Sequence, residues 1–181
     1  MAEPLSSNAE TKVEDTKIQS EHDKYKDRIF DLLKEIKREK KIGILVAFGD
    51  INSILRMGIY PIGKRLGDRK VEEILKKVCT IHSEEAKREF ERIGKEGAIL
   101  VDNSGFVYEP SFYLNVDIDA IDDKNKIKPD YCARHIAALV TSVLTNATAF
   151  TLSEGTGIIR EFHNGVVKRQ HPNQKNKKSL I

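Results

Sequence analysis

One short run limits the fold more than any other feature. Ile44 to Phe48 is apolar throughout, rich in β-forming residues, and closed by Gly49-Asp50. A strand without polar alternation is buried on both faces, so it belongs inside a sheet that other elements cover. The flanking sequence supplies those covers. Tyr25, Ile29, Leu32, Leu33 and Ile36 recur at helical spacing with charges between them, which predicts an amphipathic helix from Glu21. That helix closes in the basic run Lys37 to Lys41, read as a solvated end that also suits the negative pole of the helix dipole. Ile51 to Met57 allows one or two helical turns. The segment YPIGKRLGDRK (60–70) is a long loop whose Lys64, Arg65, Arg69 and Lys70 either stay solvated or meet phosphates. Val71, Ile74, Leu75 and Val78 mark another helix, and Ser83-Glu84-Glu85-Ala86 starts one that Phe90 and Ile93 continue.

Strands dominate the second half. Ala98 to Val101, the turn Asp102-Asn103-Ser104-Gly105, and Phe106 to Tyr108 form a hairpin. A further extended piece runs from Phe112 to about Ile118, and 122–130 is a polar loop. Arg134 to Leu144 reads as a helix with Ile136, Leu139, Val140, Val143 and Leu144 on its apolar side. Three strands follow, at 148–152, at 158–162 and from Val166 onward. Strands early and late with helices between them give an α/β (α+β) domain, a mixed β-sheet flanked by helices.

The 181 residues suit one domain, and no apolar stretch approaches the roughly 20 residues of a membrane helix. The opening MAEPLSSNAETKVED has neither the basic start nor the apolar centre of a secretory signal. Cys79 and Cys132 are too few and too far apart for a zinc site or a disulfide framework, which points to a reducing cytoplasm. The formal charge of +3 belongs to the end of the chain. Without the last 20 residues there are 26 basic against 28 acidic residues, a balance of −2. A nucleic-acid-binding body would carry its own basic face. Only the tail is therefore a candidate contact for RNA, DNA or an acidic partner. The expected organisation is a disordered or loosely helical extension at 1–20, a domain at 21–168 that includes the leading helix, and a flexible basic tail at 169–181.

Three segments can carry chemistry. Lys95-Glu96-Gly97-Ala98 places a carboxylate beside a Gly-Ala that lets a ligand approach the backbone, though an ordinary turn has the same composition. Ala133-Arg134-His135 puts two cationic residue types at a helix N-terminus. They oppose the helix dipole there and suit an anion, although a histidine in mid-domain is commonly structural. Ser153-Glu154-Gly155-Thr156-Gly157 closes a strand with a hydroxyl, a carboxylate and two glycines, fit either for a hairpin turn or for wrapping phosphate and metal.

In order and spacing these segments resemble the diadenylate cyclase domain, the DisA-like nucleotide-binding fold. ARHIAALVTSVLTNATAFTLSEGTGIIREFHNGVV is similar to the archaeal branch of that family, and KKIGILVAFGD to its opening strand. The resemblance implies condensation of two ATP into cyclic di-AMP with release of pyrophosphate, by two domains facing each other with Mg²⁺ or Mn²⁺. It implies catalytic roles for Glu96, Arg134 and His135, the last two at phosphate. Nucleotide contacts would come from Gly97, Ala98, Leu114 near adenine, Ser153, Glu154 and Gly157, and metal contacts from Glu96 and Glu154. The chain differs from the family's motifs at several positions. Glu96 stands for the Asp of DGA, Ile136 for the second Arg of RHR, and Gly155 for the second acid of SEE. These differences remove one phosphate-binding cation and one metal ligand. They leave a nucleotide-binding relative with little turnover, or an interaction module using the leading helix and tail, as alternatives.

Overall fold

A computed structural model describes residues 7–39, 41–59, 80–93 and 97–172. The expected loop at 60–70 and helix at 71–78 lie outside them. The described α-helices and strands are α1 (Ser7–Glu39), β1 (Ile44–Gly49), α2 (Ile51–Met57), β2 (Gly58–Ile59), α3 (Glu84–Ile93), β3 (Ala98–Asp102), β4 (Val107–Leu114), α4 (Ala133–Leu144), β5 (Thr148–Leu152), β6 (Ile159–His163) and β7 (Val166–His171), with two short 3-10 turns at Ile118–Ala120 and Lys124–Lys126.

The seven strands form one sheet in the order β2-β4-β3-β1-β5-β6-β7. β1 pairs in parallel with β3, and the other pairs are antiparallel. β1 is central, and every residue of it is buried. Alternation divides it between two cores. Ile44, Val46 and Phe48 face Ile29, Leu32, Leu33 and Ile36 of α1 and Phe90 of α3. Leu45 and Ala47 face Ala138, Leu139 and Val140 of α4 and Ile54 of α2. The expected mixed sheet between helices is the observed architecture.

Three boundaries depart from the sequence reading. α1 begins at Ser7, so of the two readings of the opening segment, disordered or loosely helical, 7–20 takes the helical one. Its two Glu, two Lys, one Gln and one Ala favour helix even without an apolar stripe. β4 runs unbroken from Val107 to Leu114, with register shifts against β3 that absorb the irregularity read as a gap. β7 reaches His171, so Arg169 is part of the domain and not of a free tail. Its Nη1 reaches Asp27 at 2.6 Å, its Nε pairs with Glu161, its Nη2 donates to the Lys26 carbonyl, and its guanidinium lies 4.2 Å from the Phe30 ring centre. The last described strand thereby holds the first helix. In α4 the buried side also differs. Ala137, Ala138, Thr141 and Ser142 are inside, whereas Leu144 is exposed. Small side chains let this helix approach the sheet closely, and the bulkier Leu144 remains at its rim.

Candidate functional site

Strand directions gather the three chemical segments at one end of the sheet. β1 and β3 both begin there, and β4 and β5 both finish there. Ile44 is opposite Leu152, and Ala98 is opposite Phe112. Gly97 enters β3 at φ 76°. A Cβ at this position would sit 2.8 Å from the Phe112 carbonyl oxygen, closer than real Cβ atoms come, so only glycine lets the two backbones meet. Ala98 is buried directly after it, and Leu114 is half-buried at the end of β4 opposite Gly58. Glu96 lies outside the described residues.

α4 brings Arg134 to the same end. A Cβ at Gly43 would lie 2.6 Å from Arg134 Nη1 and 2.9 Å from its Cζ. The guanidinium therefore rests on the bare backbone that leads into β1.

The Ser153–Gly157 loop closes on itself. The Ser153 N–H donates to the Ile158 carbonyl at 2.9 Å, the Gly157 N–H to the Ser153 carbonyl at 2.8 Å, and the Thr156 N–H to Ser153 Oγ at 3.3 Å. Ser153 Oγ accepts in that turn, which leaves its O–H as a donor for a ligand. Glu154 is exposed beside Gly155, and a Cβ at Gly155 would meet open space. Opposite the loop, across a cleft of about 400 Å³, lie Lys37, Arg38 and Glu39 from the end of α1, with Lys41 just beyond it. The sequence reading left this basic run in solvent, because periodicity does not say which loop a helix end meets. Ile42 also lines the cleft, so the cleft is one residue along the chain from the Gly43 that supports Arg134.

His135 takes a different place from the one expected for a phosphate ligand. It is 1% exposed and faces the sheet. Its Nε2 is 2.8 Å from Arg160 Nη1, and Arg160 Nη2 pairs with Asp130. A guanidinium only donates, so Nε2 accepts and the neutral ring carries its proton on Nδ1, 3.0 Å from Cys132 Sγ. The Cys132 N–H is 3.2 Å from the same Nδ1, which in this tautomer is a close approach without a bond. The ring stacks on Tyr131 with centroids 5.3 Å apart, and Arg160 lies over Tyr131 at 5.1 Å. Burial and then the Arg160 charge lower the imidazole pKa to about 4, with Asp130 opposing them. His135 therefore anchors the start of α4, the turn that carries Arg134. Arg160 is 3% exposed, and its Nε also donates to Gln170 at 2.8 Å. Sequence reasoning missed it, although its parity with Phe162 on β6 points it at the same core face.

The described residues contain no cluster of three or more His, Cys, Asp or Glu side chains fit for a metal. A hard cation such as Mg²⁺ keeps several waters and needs only one or two carboxylates besides phosphate oxygens. Glu154, exposed at the cleft, fits that requirement.

Residues 33–167 match the family described as DisA bacterial checkpoint controller nucleotide-binding, abbreviated DAC. The chain is 28% identical over 142 residues to a diadenylate cyclase of Haloferax volcanii, over 75% of this chain and 46% of that protein. It thus spans less than half the length of that curated relative. A crystal structure of a double-cysteine variant of DacA from Staphylococcus aureus is similar in fold, with a TM-score of 0.51 at 18% identity, over 82% of this chain and 86% of that one.

Proposed function

The chain belongs to the DisA nucleotide-binding, or DAC, family, and from that membership we propose that it is a diadenylate cyclase joining two ATP into cyclic di-AMP. One observation carries the reading. The Gly97-Ala98 approach, the Arg134 guanidinium and the Ser153–Glu154 loop converge at one end of the sheet.

In the proposed reaction the 3′-oxygen of one nucleotide bonds to the α-phosphorus of the other. The bond from that phosphorus to the β-phosphate bridging oxygen breaks, and pyrophosphate leaves with its electron pair. The hydroxyl proton passes to a base or to water. Repetition in the opposite sense closes the ring. One domain offers one nucleotide site, so the chemistry needs two copies face to face. Such transfers leave little covalent work to the protein, which acts by positioning and by charge. Arg134 supplies fixed positive charge at phosphate, and its seat on Gly43 determines where that charge stands. Ser153 donates its O–H. Gly97 lets β4 close against the start of β3 at the nucleotide site, and Leu114 packs near the base. His135 touches no substrate in this scheme. It is a positioning residue for Arg134, which revises its expected role as a phosphate ligand. Glu154, together with Glu96, would hold Mg²⁺ or Mn²⁺. When bound there, such an ion would supply positive charge against the phosphates. No helix among the described residues is long and apolar enough to cross a membrane, and a cytoplasmic site of action belongs to this proposal.

Incubation with ATP and Mn²⁺ or Mg²⁺, followed by mass spectrometry, tests the reading. Cyclic di-AMP formation that rises per mole of protein with protein concentration is the expected result. ATP binding without product would leave a nucleotide-binding relative, in keeping with Ile136 and Gly155 at their motif positions.

A further inference from the structure

We propose that the basic end of α1, Lys37 with Arg38 and Lys41, binds the outer phosphates of the nucleotide and the pyrophosphate they become. The proposal rests on the diadenylate cyclase reading for its substrate, but the anion site itself can be tested without turnover.

The cleft supplies the first argument. Its roughly 400 Å³ falls within the size range of small-ligand sites, and its two walls differ in chemistry. One wall is the Ser153–Gly157 loop, with a hydroxyl and a carboxylate. The other is the cationic end of α1.

Pairing supplies the second. Three earlier cations of α1 have carboxylate partners on the helix. Lys26 pairs with Asp23 at 2.6 Å, Arg28 with Glu35 at 3.1 Å, and Lys34 with Asp31 at 2.7 Å. Glu39, the one acid of α1 that lines the cleft, is drawn to Lys87 of α3 at 2.9 Å. Lys37, Arg38 and Lys41 have no ion pair among the described residues. Three positive charges therefore face a cleft in which Glu154 is the one carboxylate not already paired. Their field extends to His171, whose pKa is lowered by burial first and then by Lys37, Lys34 and Arg38.

The third argument is local fit. Gly157 adopts φ 63°, and a Cβ there would lie 3.1 Å from Lys37 Cε and 3.8 Å from its Nζ. The lysine stem crosses the loop where a side chain would obstruct it, and its ammonium ends beside the segment that carries Ser153 and Glu154. Favourable interaction with the helix dipole explains a basic last turn. It does not explain Lys41, which lies beyond the helix.

The family motif offers a second Arg after the helix-start His, and here that position is Ile136. Cations from α1 restore positive charge on the opposite side of the loop. A polyphosphate could then be held between Arg134 at the inner phosphate and α1 at the outer ones. In that arrangement ATP gains affinity over AMP chiefly through α1.

The test uses the full chain and inorganic pyrophosphate, titrated calorimetrically at low and raised salt. Wild type is compared with the triple variant Lys37→Ala, Arg38→Ala, Lys41→Ala, and with Lys37→Arg, Arg38→Lys, Lys41→Arg, which keeps the charge. Circular dichroism confirms that each is folded. The expected result is salt-sensitive binding by wild type, weakened at least about tenfold in the alanine variant, since each charge-assisted contact is typically worth about one decade or more. The charge-keeping variant should retain most of the binding. ATP affinity should fall with pyrophosphate affinity, while AMP affinity stays unchanged. Equal pyrophosphate binding by wild type and the alanine variant would overturn the proposal, as would no binding by wild type. Absence of cyclic di-AMP with pyrophosphate binding intact and α1-dependent would overturn the cyclase reading and leave the anion site standing.

Discussion

Protonation of His135 tests the anchor beneath α4. The ring is 1% exposed, and its pKa is about 4 instead of the ordinary 6.5, because of burial first and the Arg160 charge second. Between these values the unfolded chain binds the proton and the folded protein does not. Stability is therefore complete above about pH 6.5 and falls as pH drops toward 4. At about 1.36 kcal/mol per pH unit the contribution is at most about 3 kcal/mol, and about 2 kcal/mol of it is lost by about pH 5. The added proton would fall on Nε2, facing Arg160 Nη1 at 2.8 Å, so the start of α4 and Arg134 with it should loosen in the same window. Urea unfolding at about pH 7 and about pH 5 measures this. His135→Gln keeps an acceptor for Arg160 and removes the titration. Wild type should lose about 2 kcal/mol more than the variant between the two pH values. His22 and His171 are also lowered by burial and tilt both proteins alike, so the difference isolates His135. Equal losses, or an imidazole that titrates near 6.5 by NMR, would refute the reasoning.

Gly43→Ala should displace the Arg134 guanidinium, because the new Cβ would stand 2.6 Å from Nη1. A flexible side-chain end can yield, so melting temperature should hold while ATP affinity or turnover falls about tenfold. Gly97→Ala should destabilise by about 2 kcal/mol or more, from a positive φ and a clash with the Phe112 carbonyl, read as a drop in melting temperature. Gly155→Glu adds a second carboxylate where a Cβ meets open space, and should tighten Mn²⁺ binding in an EPR titration with no loss of stability.

The sequence made the sheet legible where the periodicity was local. Ile44 to Phe48, the hairpin at Asp102–Gly105 and the helix before Thr148 needed only their own residues to be read. What it did not show depends on who meets whom. Lys37 to Lys41 looks like a solvated helix end until the Ser153–Gly157 loop is folded against it. His135 resembles a phosphate ligand by motif position, yet adjacent residues on a helix diverge by about 100°. While Arg134 lies on Gly43, His135 turns inward to Arg160. Arg160 itself reads as an ordinary polar strand residue. The signal available for it was parity, since it shares a face with the buried Phe162.

The bond from Arg169 to Asp27 joins residues 142 positions apart, and it ties the first helix to the last described strand. During synthesis the apolar stripe of α1 emerges first and must wait for strands that come much later. The sheet is ordered by long-range pairings, which form slowly because loop closure precedes any gain from contact. Asp27 stands 20 residues into α1, so the contact fastens β7 across the middle of the helix like a strap, and the domain is clamped at its centre instead of being joined at its ends.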